Sequence, residues 1–125
     1  MNHEGSHILV DYIGVKGDEN EIGSFIFDLM IKTIQQTSMK IVHKQLVILN
    51  VDTPPGFTAC LLLDSSHFTC HSYADTGLLA IDLFTCGPTD TLVTVNYFTE
   101  ELLKKFPDAK FTYRENHKRF RHETK

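Results

Sequence analysis

The chain has 125 residues, 42 % hydrophobic and 22 % charged, with a net charge of −4, which fits one soluble globular domain with a modest core. Its apolar runs fall far short of the roughly 20 residues that span a bilayer. Met1–Gly5 has no basic segment leading into an apolar stretch, so a cytoplasmic protein without a membrane contact is expected.

The elements follow in chain order. His7 to Ile13 alternates as a strand, with Ile8, Val10 and Tyr12 facing one way. After a turn-rich Gly14–Asn20, the residues Ile22, Phe25, Ile26, Leu29, Met30, Thr33 and Ile34 recur at helical spacing. Glu19 and Glu21 suit the N-terminal end of that helix. Met39 to Val51 reads as a long strand broken by Asp52-Thr53-Pro54-Pro55-Gly56. Phe57–Leu63 is a further strand and Asp64-Ser65-Ser66 a polar turn. His67–Ser72 alternates as a short strand, and Leu78–Thr85 is another with a near-continuous apolar face. Pro88 and Thr89 open a second helix with Val95, Phe98, Leu102, Leu103 and Phe106 on its inner side. Pro107 ends it, and Lys110–Tyr113 is a final strand. The order β-α-β-β-β-β-α-β predicts an α+β fold: a two-layer α/β sandwich, its largely antiparallel sheet carrying both helices on one face. Residues 1–125 form a single domain without repeat or linker.

Charge and thiols narrow the function. Lys104–Lys125 carry eight Lys/Arg against three Asp/Glu, and the preceding residues four against thirteen. An acidic body favours a cationic small ligand over nucleic acid. The basic Lys118-Arg119-Phe120-Arg121 reads as a solvated, frayed terminus. Three cysteines without framework spacing, Cys60, Cys70 and Cys86, read as reduced thiols.

Asp64–Gly87 concentrates the chemistry-bearing residues, and three readings of them compete. His67, Cys70, His71 and Cys86 are zinc-ligand types, but on a strand Cys70 points away from the two histidines, and no C-x-x-C pair is present. Cys86 or Cys70 activated by His71 would be a nucleophile pair without an orienting third group. The histidines are otherwise ordinary polar residues of a half-exposed strand.

Three blocks carry a resemblance: Ser65-Ser66-His67, His71-Ser72-Tyr73-Ala74-Asp75 and Asp82-Leu83-Phe84-Thr85-Cys86-Gly87. In residues and spacing they resemble the Glu-Ser-His, His-Thr-Trp-Pro-Glu and Asp-Leu-Phe-Thr-Cys-Gly blocks of the prokaryotic S-adenosylmethionine decarboxylases. Gly5-Ser6-His7-Ile8-Leu9-Val10 is similar to that family's opening strand. The resemblance runs to about Leu103 and implies a proenzyme that cuts itself between Ser65 and Ser66 into residues 1–65 and 66–125. Ser66 would become a pyruvoyl group, which forms a Schiff base with the substrate amine and accepts the electrons released with CO₂, without a metal. By position, His71 is the processing histidine, Thr58 stands at the processing serine, and Cys86 is the proton donor. Cys60 and Cys70 have no such role and are expected in the core. The family further implies a homodimer of processed protomers.

The departures fall on the substrate side. The Glu before the cleaved serine is Ser65, the loop Trp is Tyr73, the loop Pro is Ala74 and the loop Glu is Asp75. Asn50–Pro54, with Asp52, stands where the family has an aromatic platform. The resemblance implies S-adenosylmethionine as substrate, contacted by Tyr73 and Asp75, and hence a step of polyamine synthesis. Arginine or ornithine, with Asp52 or Asp75 pairing the distal cation, is the second substrate reading. A catalytically inactive homologue acting as a binding partner is the third possibility.

Overall fold

A computed structural model describes residues 4–120. Within them lie β1 (Gly5–Ile13), α1 (Glu19–Gln35), β2 (Ile41–Leu49), β3 (Gly56–Leu63), β4 (His67–Tyr73), β5 (Leu78–Cys86), α2 (Thr91–Lys105) and β6 (Lys110–Arg119). The strands form one sheet in the order β2-β3-β4-β5-β1-β6, with every neighbouring pair antiparallel. α1 packs over β2 and β3, α2 over β1 and β5, and the two helices touch each other. Both therefore cover the same face, and the fold is the two-layer sandwich expected.

Strand alternation divides the side chains between the layers. Ile8, Val10 and Tyr12 of β1, Phe57, Ala59 and Leu61 of β3, Phe68 and Cys70 of β4, and Leu79, Ile81 and Leu83 of β5 are buried beneath the helices. α1 adds Ile22, Ile26, Leu29, Met30 and Ile34, and α2 adds Val95, Phe98 and Leu102. Burial of these apolar faces is the main stabilising term of the fold. α1 begins where Asp18 accepts from the amides of Asn20 and Glu21, both at 3.1 Å, with Glu19 and Glu21 in its first turn beside the positive end of the helix dipole. Tyr12 and Thr99 share a buried 2.7 Å hydrogen bond that ties β1 to α2. Burial pushes the Tyr12 phenol up to about 12.

Three boundaries differ from expectation. α2 starts at Thr91, because Asp90 caps it by accepting from the Val93 amide at 3.1 Å; Pro88 and Thr89 remain in the turn. β2 is shorter than the apolar run, Ile41–Leu49. The final strand extends to Arg119 rather than ending at Tyr113, pairing with all of β1 through registers such as His7↔His117 and Gly5↔Arg119. The basic Lys118-Arg119 segment is thus not a frayed end. The unpaired amides of β1 recruit it, and ladder hydrogen bonds outweigh its mutual repulsion. Arg121 lies outside the described residues.

Candidate active site

The helix-free face of the sheet holds the chemistry. Strand register arranges its side chains in rows across β1, β5, β4 and β3. Gly5 stands beside Cys86 at one end. The next row is His7, Phe84, His67, Leu62; then Leu9, Asp82, Thr69, Cys60; then Asp11, Ala80, His71, Thr58. Tyr73 and Leu78 pair one row further on.

Ser66 sits at the first end, in the turn between β3 and β4. The turn is closed by Leu63 N–H donating to the Ser66 carbonyl at 2.9 Å and by Ser65 N–H donating to the Asp64 carboxylate at 3.1 Å. The Ser66 hydroxyl is half-buried and accepts the backbone N–H of Cys86 at 3.1 Å. Cys86 is the last residue of β5. Gly87 follows with φ 78°, a left-handed turn that glycine adopts without strain, and Thr85 hydrogen-bonds Thr91 at 2.6 Å, anchoring this corner to the start of α2. Ser66, the expected cleavage residue, and Cys86, the expected proton donor, are therefore brought together.

Thr58 and His71 are also brought together, Thr58 Oγ1 lying 3.1 Å from His71 Nδ1. They are not brought to Ser66. Five residues along β4 separate Ser66 from His71, about 16 Å at the rise of an extended strand. A cavity of about 280 Å³ opens at the His71 end, lined among others by Asp11, His71, Tyr73, Leu78 and Ala80. Tyr73 is half exposed there, and Asp75 is exposed in the turn that follows. Asp52 is exposed in the β2–β3 connection, with φ 58°, and is not among the residues lining this cavity. Asp11, which is, went unnoticed in the sequence, although its phase in β1 opposite to Val10 and Tyr12 marks it as facing this way.

Sequence reasoning also missed a cluster in the middle of the face. Asp82 Oδ2 lies 2.7 Å from His7 Nε2 and 3.0 Å from His67 Nε2, and the Thr69 hydroxyl donates to Oδ1. His7, His67 and Asp82 are a possible metal-ligand trio by atom type and distance. Arg119, however, stands 3.1 Å from His7 Nδ1. A guanidinium can only donate, so Nδ1 is the acceptor and the ring hydrogen sits on Nε2, directed at Asp82. A cation would have to displace that proton and tolerate Arg119 nearby.

The zinc set considered from sequence is divided by the sheet: Cys70 is fully buried beneath the helices, while His67 and His71 face the other way. Cys60, expected in the core, is instead half-buried on the helix-free face, in phase with Thr58 and Leu62. All three thiols are unpaired. Burial pushes the Cys70 thiol far above its ordinary range. Alkylation of the native protein near neutral pH is therefore expected to label Cys86 and spare Cys70 until the chain is unfolded. Peptide mapping checks this, and equal native labelling of Cys70 would contradict the burial.

The profile of the S-adenosylmethionine decarboxylase family matches residues 6–115. The S-adenosylmethionine decarboxylase proenzyme of Clostridium botulinum (strain Langeland) is 30 % identical over 111 residues, covering 88 % of this chain and 93 % of the relative. That of Clostridium kluyveri (strain ATCC 8527) is 29 % identical over 109 residues, 84 % of this chain and 82 % of the relative. The crystal structure of the adenosylmethionine decarboxylase from Aquifex aeolicus superposes with a TM-score of 0.65 at 19 % identity, covering 100 % of this chain and 96 % of that one. At that identity it speaks to the fold.

Proposed function

The chain belongs to the S-adenosylmethionine decarboxylase family, and from that premise we propose that it is a proenzyme that cuts itself between Ser65 and Ser66 and then decarboxylates S-adenosylmethionine. The observation that carries the reading is the Ser66 hydroxyl, half-buried in a tight turn, held at 3.1 Å by the amide of Cys86.

The chain's own groups account for each step. Ser66 Oγ attacks the carbonyl carbon of Ser65, and the C–N bond between residues 65 and 66 is replaced by an ester C–Oγ bond. The Cys86 N–H steadies the charge on Oγ as it moves. The Thr58 hydroxyl holds the tetrahedral oxygen, and His71 removes the α-proton of residue 66. The Cβ–Oγ bond then breaks, and Oγ leaves in the new carboxylate of Ser65. Water releases the nitrogen of residue 66 as ammonia and leaves a pyruvoyl ketone.

That group fits the corner Ser66 occupies, which offers a backbone donor and an adjacent thiol. Once formed it supplies an electron sink for decarboxylation. The Cys86 thiol delivers the proton to the carbon that lost CO₂.

The separation of Ser66–Cys86 from Thr58–His71 requires a second copy. We place two protomers with their helix-free faces together, so that each site joins Ser66 and Cys86 of one chain to the partner's His71. The face suits burial: Leu62, Tyr73, Leu78 and Tyr113 are exposed on it. Unpaired thiols suit a reducing compartment, and we assign the enzyme to the cytoplasm.

The substrate reading rests on the cavity beside His71, where Tyr73 offers an aromatic face and Asp11, with Asp75 in the following turn, offers negative charge to a sulfonium. The same carboxylates suit arginine or ornithine. Labelled-CO₂ release from S-adenosylmethionine, arginine, ornithine and lysine side by side separates the two, and turnover of S-adenosylmethionine is expected. Turnover of arginine or ornithine alone would replace it as substrate and leave the self-cleavage reading intact.

A further inference from the structure

We propose that Asp82 is a positioning residue of the site: through a hydrogen-bonded chain Arg119–His7–Asp82–His67 it fixes His67, the residue next to the cleavage serine, and so places the reactive end of the 66–125 fragment against Cys86. This rests on the reading of Ser66 as the cleavage residue.

The proton arrangement of the chain is determined by its ends. Arg119 donates to His7 Nδ1 at 3.1 Å, which leaves the His7 hydrogen on Nε2, 2.7 Å from Asp82 Oδ2. The carboxylate only accepts, so His67, 3.0 Å from the same oxygen, also carries its hydrogen on Nε2. Thr69 occupies the other oxygen. Packing holds the rings in place. His7 and His67 meet edge to face at 5.5 Å, both flank Phe84 at 5.6 and 5.7 Å, and Arg119 lies over that ring at 5.4 Å. The cluster thereby joins β4, β5, β1 and β6 at one carboxylate. Arg119 lies beyond the family-matched residues 6–115.

The need for such a clamp follows from the cut itself. Cleavage turns residue 66 into a chain terminus, and termini fray unless tied down. The Ser66 oxygen held by the Cys86 amide departs with Ser65. What still secures position 66 is the Leu63 N–H to the Ser66 carbonyl and the next residue, His67. Its side chain is anchored by Asp82, and its backbone lies between Leu62 and Phe84.

Asp82→Ala tests this in the full-length protein. Alanine removes the oxygen that both histidines share, so His67 loses its fixed partner. The processing pair Thr58–His71 is untouched, and intact mass is expected to show cleavage as in the wild type. The KM should change little while kcat falls roughly 10–100-fold, the scale of an ångström's misplacement.

A second readout is insensitive to the fraction folded. When the site is misplaced, the proton meant for the substrate carbon goes to the α-carbon of residue 66. The substrate nitrogen stays on that carbon, water releases the rest of the substrate as an aldehyde, and residue 66 is left as alanine. The number of 66–125 fragments beginning with alanine, per CO₂ released, should rise about 10-fold in the variant. Nitrogen-15 spectra of the wild type, assigned with His7→Gln and His67→Gln, should show both rings protonated at Nε2. Unchanged kcat and unchanged alanine formation in Asp82→Ala would overturn the proposal, as would an Nδ1 hydrogen on His67. A wild type that never cuts itself would take the underlying reading down with it.

Discussion

The purified protein is expected to resolve by intact mass into residues 1–65 and 66–125, and Ser66→Ala to remain a single chain of 125 residues with no decarboxylase activity. The effect is all-or-none, because alanine has no oxygen to form the ester and none to eliminate. Cys86→Ala is expected to part the two activities. Its contact with Ser66 Oγ runs through the backbone N–H, which alanine keeps, so cleavage should proceed. The thiol is lost, and decarboxylation should fall by about 10²–10⁴, the usual worth of a positioned proton donor. Cys70→Ala removes only a buried packing group and should leave the chemistry in place. A larger catalytic loss in Cys70→Ala than in Cys86→Ala would move the proton-donor role. A wild type that stays whole after incubation would favour the inactive-homologue reading, with Ser65 in place of the family's Glu as the first position to restore.

The fold was largely legible because period and composition agreed. Ile8, Val10 and Tyr12 alternate in β1, and the Ile22–Ile34 stripe repeats at helical spacing; burial beneath one layer follows from both. The chain's ends were less legible. Lys110–Tyr113 reads as a strand, but the Lys118-Arg119 end of β6 reads as a charged tail because its register with β1 is a long-range pairing that no local pattern reports. Ser66, Cys86, Thr58 and His71 were each singled out by resemblance; that they meet as the pairs Ser66–Cys86 and Thr58–His71 is what the structure adds. Asp82 was passed over as one letter of a matched block. Its partners His7 and His67 lie 75 and 15 residues away in sequence, and only the β1-β5-β4 strand order makes them neighbours. Alternation does put Asp82 in phase with Cys86 and His67 in phase with His71. What alternation cannot supply is which strands lie side by side, and that information turns four polar residues into one network.

Strand order also carries the largest consequence for assembly. His71 follows Ser66 by five residues along β4, and an extended strand spans about 3.3 Å per residue. No rotamer of His71 reaches the α-proton of residue 66 in the same chain. Every residue of β4 is paired with β3 on one side and β5 on the other, so the sheet holds the strand extended and keeps its ends apart. A two-fold axis near the Asp82 row does, since it carries one end of the face onto the other. Co-expression of Ser66→Ala with His71→Ala is therefore expected to restore cleavage that neither variant performs alone. In a mixed dimer the His71→Ala chain supplies Ser66 and Cys86, and the Ser66→Ala chain supplies the partner's His71. The second site of that dimer lacks both groups and stays silent. With random pairing, about half of the His71→Ala chains should be cut, and distinguishable tags on the two variants identify the cut chain by mass. Cleavage should appear only in the chain that retains Ser66. If each variant stays whole in the mixture while the wild type cuts itself, the site is built within one chain, and β4 must leave the sheet for His71 to act.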